Sequence, residues 1–168
     1  MKKLIYKQGN LLLANDVQVV GHQANCQNTF GSGIARTIRE MYPDAYEADC
    51  AAANDKKNTI GNFSVGYIPF MDGVANKHGN QIGLIYNLYG QNLYGRSTRQ
   101  TNYDALYSAL EGMANDLIDD MDLPVPSVGF PYKMGSDRGG GDFRIVERLI
   151  EVAFENYAGD VIIYKFSP

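Results

Sequence analysis

The stretch Ser127-Val128-Gly129-Phe130-Pro131-Tyr132-Lys133-Met134-Gly135-Ser136-Asp137-Arg138-Gly139-Gly140-Gly141-Asp142 decides the fold. A short apolar run at 127–131 reads as a buried strand. A glycine-rich loop at 134–142 follows. Behind it Phe143, Val146, Ile150, Ala153, Phe154 and Tyr157 recur at helical spacing. Strand, glycine loop and helix recur earlier, where residues 17–24 read as a strand. There Asn25-Cys26-Gln27-Asn28-Thr29-Phe30-Gly31-Ser32-Gly33 reads as a loop, and Ile34, Ile38, Met41 and Tyr42 mark a helix.

The two loops share one logic. Glycine lets the backbone take positive φ and approach a ligand with no Cβ in the way. The helix that follows points free N–H groups and a partial positive charge at the same place. In an open α/β sheet such loops line the crevice at the carboxyl ends of the strands. A pair of them suits a ligand with two phosphates, or with a phosphate and a sugar; ordinary tight connections are the alternative, since short glycine motifs recur by chance. A dinucleotide fingerprint is not met, because Arg36 stands where its third glycine or alanine belongs.

Outward from these loops, residues 4–7 read as a strand ended by Gly9-Asn10. Pro43 closes one helix and opens another that runs towards Ala53. Residues 63–70 and 82–89 read as strands around a loop at Asp72-Gly73. Thr101 with Asp104 fits a capped helix start. Tyr103, Leu106, Tyr107, Leu110, Met113, Ala114, Leu117, Ile118 and Met121 trace that helix's apolar face, and residues 161–166 make a last strand. Strands alternating with helices predict an α/β sheet covered on both faces.

The chain has 168 residues, the size of one domain, and no linker divides it. Hydrophobic residues at 45% supply a core. A net charge of −4 argues against nucleic acid or a membrane surface held by bulk electrostatics, but leaves room for a small anion held by a loop. No apolar run reaches the roughly 18–20 residues of a spanning helix, and we read no signal peptide. Cys26 and Cys50 make no disulfide framework, so a cytoplasmic setting is expected, and a single domain of this size is expected to be a monomer. His22, Cys26, Cys50 and His78 lack metal-site spacing, and no cofactor or metal is expected.

The run Gly21-His22-Gln23-Ala24-Asn25-Cys26-Gln27-Asn28-Thr29-Phe30-Gly31-Ser32-Gly33-Ile34-Ala35 resembles the macro domain family. So do the segment from Phe130 to Phe143, which looks like that family's diphosphate loop, and Thr101-Asn102-Tyr103-Asp104-Ala105-Leu106. The resemblance covers nearly the whole chain in order and looks closest to the ADP-ribose 1″-phosphate phosphatases with their phage and bacterial relatives. It implies a single three-layer α/β/α domain over residues 1–168 with a central mixed sheet, binding ADP-ribose.

By matching position the resemblance assigns Asn10 and Leu11 to the adenine side. Asn10 stands where the family usually has Asp. Asn25 matches the asparagine on the distal ribose, and Gly31, Ser32, Gly33 and Ile34 the loop that closes on it. Gly135, Ser136, Asp137, Arg138, Gly139 and Gly140 match the diphosphate loop, with Asp137 replacing a common glycine and expected to face solvent or pair with Arg138. Phe166 would stack on adenine.

Removing a 1″-phosphate requires a held phosphate, an aimed water and a proton for the leaving oxygen. His22 is the best general acid/base by residue type, and Asp142 would orient it or the water. The alternatives are a structural histidine and a helix cap. Cys26 reads as a packing thiol. Tyr86, Tyr89, Tyr94 and Tyr103 are candidates for the crevice wall, and Lys133 and Arg96 for phosphate contact or plain surface charge. One family branch releases ADP-ribose from acidic side chains with a lysine and an aspartate. The aspartate falls at Gly139 here, and no lysine lies near Gly90-Gln91. Three readings result: a phosphatase acting on ADP-ribose 1″-phosphate, a non-catalytic module for ADP-ribose or ADP-ribosylated protein, and a de-ADP-ribosylating hydrolase with an unusual site.

Overall fold

The computed structural model describes residues 1–95, 97–119 and 124–168; Arg96 and Met121 lie outside these. The elements in chain order are β1 (Ile5–Gly9), β2 (Val19–Asn25), α1 (Gly33–Met41), α2 (Pro43–Asn54), β3 (Phe63–Tyr67), β4 (Leu84–Gln91), α3 (Tyr103–Asp119), β5 (Val128–Pro131), α4 (Phe143–Ala153) and β6 (Val161–Phe166). A single 3-10 turn, Leu11–Leu13, follows β1.

The strands form one six-stranded sheet in the order β1-β6-β5-β2-β4-β3. Every pairing is parallel except β3 with β4. The expected mixed central sheet is therefore present. Consecutive strand residues point to opposite faces, and each face has its own core. Val19, Tyr86, Val161 and Ile163 pack with Leu106, Leu110 and Met113 of α3 and Val146 and Ile150 of α4. Val20, Ile85, Ile162 and Tyr164 pack with Ile38 of α1 and Ala45 of α2. That alternation explains why strands buried on both faces read as unbroken apolar runs.

Several boundaries differ from the sequence reading. The strand expected at 82–89 runs two residues later. The strand expected at 63–70 stops at Tyr67, leaving Phe70 in an isolated bridge with Asn76. The last helix ends at Ala153, while buried Phe154 and Tyr157 beyond it keep packing on the same core. Periodicity there followed the core and not the backbone. Asn102, and not Thr101, caps α3: its Oδ1 accepts from Ala105 N at 3.1 Å. The Thr101 hydroxyl is engaged elsewhere, in the site.

Candidate functional site

β2 and β5 are parallel neighbours, so the loops leaving their carboxyl ends open on the same edge of the sheet. The first loop is tied at its root. Asn25 Oδ1 accepts from Gln27 N at 2.8 Å and Asn25 Nδ2 donates to Thr29 Oγ1 at 2.8 Å, while Cys26 N donates to Asn92 O. Beyond the root the loop is open. Nothing stands within 4 Å of where a Cβ would sit on Gly31, and Gly33 takes φ +60°. Ser32 is the N-cap of α1 but makes no capping bond with its side chain. Among the described residues nothing accepts from the amides of Gly33, Ile34 and Ala35. A helix start left this bare carries partial positive charge into the crevice.

The second loop is braced from below. Thr101, 2% exposed, donates from Oγ1 to Gly135 O at 2.6 Å and accepts from Gln23 Nε2 at 2.8 Å. Gly139 O accepts from Gln100 N and Thr101 N at 2.8 and 3.0 Å, and Gly141 N donates to Gly135 O at 2.9 Å. Gly135 and Gly140 take φ +73° and +71°. These bonds occupy the carbonyls of Gly135 and Gly139 and leave a run of amides. Among the described residues no acceptor serves the N–H groups of Asp137, Arg138, Gly139 and Gly140. A run of unpaired amides in a turn of this kind is an anion-binding concavity. The Oε1 of Gln23 is a buried acceptor with no partner among the described residues, held beneath Gly90 and Gly135.

The two loops meet. Arg138 Nε would lie 3.7 Å from a Cβ on Gly33. Arg138 and Asp137 are exposed, and no ion pair joins them. Of the two expectations for Asp137, solvent exposure is the one observed. Lys133 is also exposed, with φ +64° and its ammonium 5.8 Å from the Tyr132 ring centroid.

Past β5 the sheet continues to β6 and β1. Gly9 pairs with Phe166, which is 75% exposed at the strand end. Asn10 follows directly, but its Oδ1 caps the next turn by accepting from Leu12 N at 3.0 Å. Leu11 is buried in the α1/α2 core, so its side chain serves packing.

The two residues expected to move protons are placed otherwise. His22 is fully buried. Its Nε2 lies 2.7 Å from Asn87 Oδ1, its ring meets the edge of Phe30, and burial pushes its pKa down. Residues of a strand alternate between faces, so a position three before the strand end sits inside a helix-covered layer. The imidazole is enclosed between Asn87 and Phe30, which is the placement of the structural-histidine alternative. Asp142 caps α4, accepting from Arg144 N at 2.9 Å and pairing with the Arg144 guanidinium at 2.8 Å, which holds its carboxyl below the usual range. The cap alternative describes Asp142. Cys26 is half-buried, and burial raises its thiol to about 11, so it carries little thiolate.

Tyr86 and Tyr89 belong to the two cores, and Tyr94 is exposed. The Tyr103 hydroxyl accepts from Asp142 N at 2.8 Å. Sequence reasoning missed Gln23 and Thr101 as braces of the second loop. The one available signal was a polar Gln23 within an apolar strand.

Together these features define an α/β domain whose two glycine loops, at the carboxyl ends of β2 and β5, present backbone amides that no acceptor among the described residues serves. The fold is the macrodomain fold. Over 98% of both chains it superposes on a macrodomain of Mycobacterium tuberculosis DarG with a TM-score of 0.77 at 23% identity. Over 100% of both chains it superposes on a macrodomain of Thermus aquaticus DarG with a TM-score of 0.75 at 22% identity. Thermosipho africanus DarTG in complex with ADP-ribose matches with a TM-score of 0.75 at 17% identity, over 96% of this chain and 41% of that one. No protein-family model and no curated protein matches the sequence.

Proposed function

We propose that the protein binds ADP-ribose, with the second loop on the diphosphate and the first on the distal ribose. The observation that carries this is the row of four unpaired amides at 137–140, set against the bare start of α1. Backbone amides serve a diphosphate without net positive charge, which suits a chain of net charge −4. In this reading the distal ribose lies over β2, the diphosphate over β5, and the adenosine over β6 and β1 beside Phe166 and Asn10, an order that the strand sequence of the sheet supports. A neighbour of the same fold is bound to ADP-ribose, which supports the choice of ligand.

Retention of ADP-ribose, free or on protein, is favoured over turnover, because His22 is enclosed and Asp142 is engaged as a cap. The phosphatase reading falls back on Asp137, the exposed carboxylate of the second loop, which forms no ion pair among the described residues. Calorimetry with ADP-ribose, ADP and NAD is expected to show preference for ADP-ribose; equal or absent binding ends the reading. Phosphate release from ADP-ribose 1″-phosphate, lost in Asp137→Asn, would instead establish the phosphatase.

A further inference from the structure

Asp49 of α2 is fully buried, yet none of the ion pairs among the described residues includes it. Its carboxylate accepts from Tyr89 OH at 2.6 Å and from Asn28 Nδ2 at 2.7 Å. Tyr89 is buried in β4. Asn28 belongs to the first loop, three residues after Asn25 and three before Gly31, and holds the left-handed conformation with φ +56°. A buried carboxylate needs its donors, because an unmet charge in the core is costly. One of the two donors here comes from the loop itself. The loop therefore does not swing outward without stripping Asp49.

The other donor is fixed in turn. Tyr89 OH lies 2.7 Å from Ser64 Oγ, which accepts from Asn87 Nδ2 at 3.0 Å, and Asn87 Oδ1 meets His22 Nε2. A continuous polar chain thus runs from His22 through the core to Asn28. Its sheet end, at His22 and Asn87, is fully buried and its loop end, at Asn28, is half-buried. Thr29 and the buried Phe30 link that loop end to the open stretch at Gly31, Ser32 and Gly33.

We infer that Asp49, acting through Asn28, positions the first loop to receive the distal ribose. This rests on the ADP-ribose reading for its ligand, though not for its geometry. Asp49 touches no ligand in this account; it is a positioning residue that sets where Gly31, Ser32 and Gly33 stand. A network that merely stabilised the fold would weaken every ligand alike. A tether confined to the first loop weakens only ligands that reach that loop.

The test uses the full chain and the variant Asn28→Gly, which keeps a left-handed backbone without strain and removes the amide tether. ADP-ribose and ADP are titrated by calorimetry, since ADP lacks the distal ribose. The expected result is about a tenfold loss for ADP-ribose, the scale of one hydrogen bond to a charged group, with ADP affinity held. Amide hydrogen exchange without nucleotide is expected to quicken at residues 29–33 and not at 136–141. Asp49→Asn should act in the same direction, and Asn28→Gly carries the test where that variant does not fold. Parallel weakening of ADP and ADP-ribose overturns the inference, and so does unchanged exchange at 29–33. A wild type that binds neither nucleotide fails the ADP-ribose reading instead, and the exchange data still decide the tether.

Discussion

Arg138 of the second loop packs over Gly33 of the first, its Nε 3.7 Å from where a Cβ would stand. Two loops separated by more than a hundred residues of chain thus close on each other across β2 and β5. Arg138 is exposed and pairs with no carboxylate among the described residues. Its charge is free for a ligand phosphate. Arg138→Ala is expected to weaken ADP-ribose binding by roughly three- to tenfold at low salt, less at high salt, where screening already reduces the contribution. The melting temperature should stay put. Calorimetry at two salt concentrations checks this; equal loss at both would assign Arg138 to packing.

The loops were legible because glycine clusters declare themselves in composition, and because each sits between a strand and a helix pattern. The sheet was legible for a related reason: two-sided burial turns strands such as Ile162–Ile163 into continuous apolar runs whose residues divide between two cores. What stayed hidden was side-chain destination. Thr101 has the residue type of a helix cap, but its hydroxyl bonds to Gly135 O because a loop distant in sequence folds back over it. His22 has the type of a proton donor, but its place in β2 aims it into a covered layer. Asn28 and Asp49 lie far apart in function by residue type alone, and only their contact at 2.7 Å gives either a role.

Glycine substitutions should separate ligand approach from internal packing. A Cβ on Gly31 meets nothing within 4 Å, whereas one on Gly139 collides with Thr101 Oγ1 and lies 2.7 Å from Gly135 O. Gly139→Ala is expected to cost about 1–3 kcal/mol, the usual range for overpacking, and to distort the amide row at 137–140. Gly31→Ala should leave stability within about 0.5 kcal/mol. Urea denaturation of both variants, with ADP-ribose titration of each, gives the comparison. Equal stability losses would mean that the second loop is looser than its contacts indicate.

The Thr101 hydroxyl joins Gln23 to the carbonyl of Gly135. Thr101→Val keeps the shape and removes the donor, so Gly135 O retains only the bond from Gly141 N and Gln23 Nε2 only its bond to Gln91. A loss of about 1–2 kcal/mol is expected for buried polar groups left short of a partner. ADP-ribose affinity should fall with it, because the loop that carries the free amides loses its brace. Thr101→Ser should restore both. Stability lost in Thr101→Val without any change in affinity would detach the brace from the site.

His22 offers a pH signature that a crevice histidine would not show. Burial depresses its pKa below the ordinary 6.5. The folded chain therefore binds that proton less readily than the unfolded chain does. Above pH 6.5 both states hold a neutral ring, and the contribution of His22 is fully present. As pH falls through 6.5 the unfolded chain takes up the proton first, and stability drains away by up to about 1.4 kcal/mol per pH unit. Other groups titrate in the same range, so the readout is a difference. The stability gap between wild type and His22→Gln, measured by urea denaturation, should narrow between pH 7.5 and 5.5. ADP-ribose affinity of the folded variant should change little, since the ring is enclosed between Asn87 and Phe30. A constant gap, together with phosphate release that His22→Gln abolishes, would return the imidazole to the chemistry its residue type first suggested.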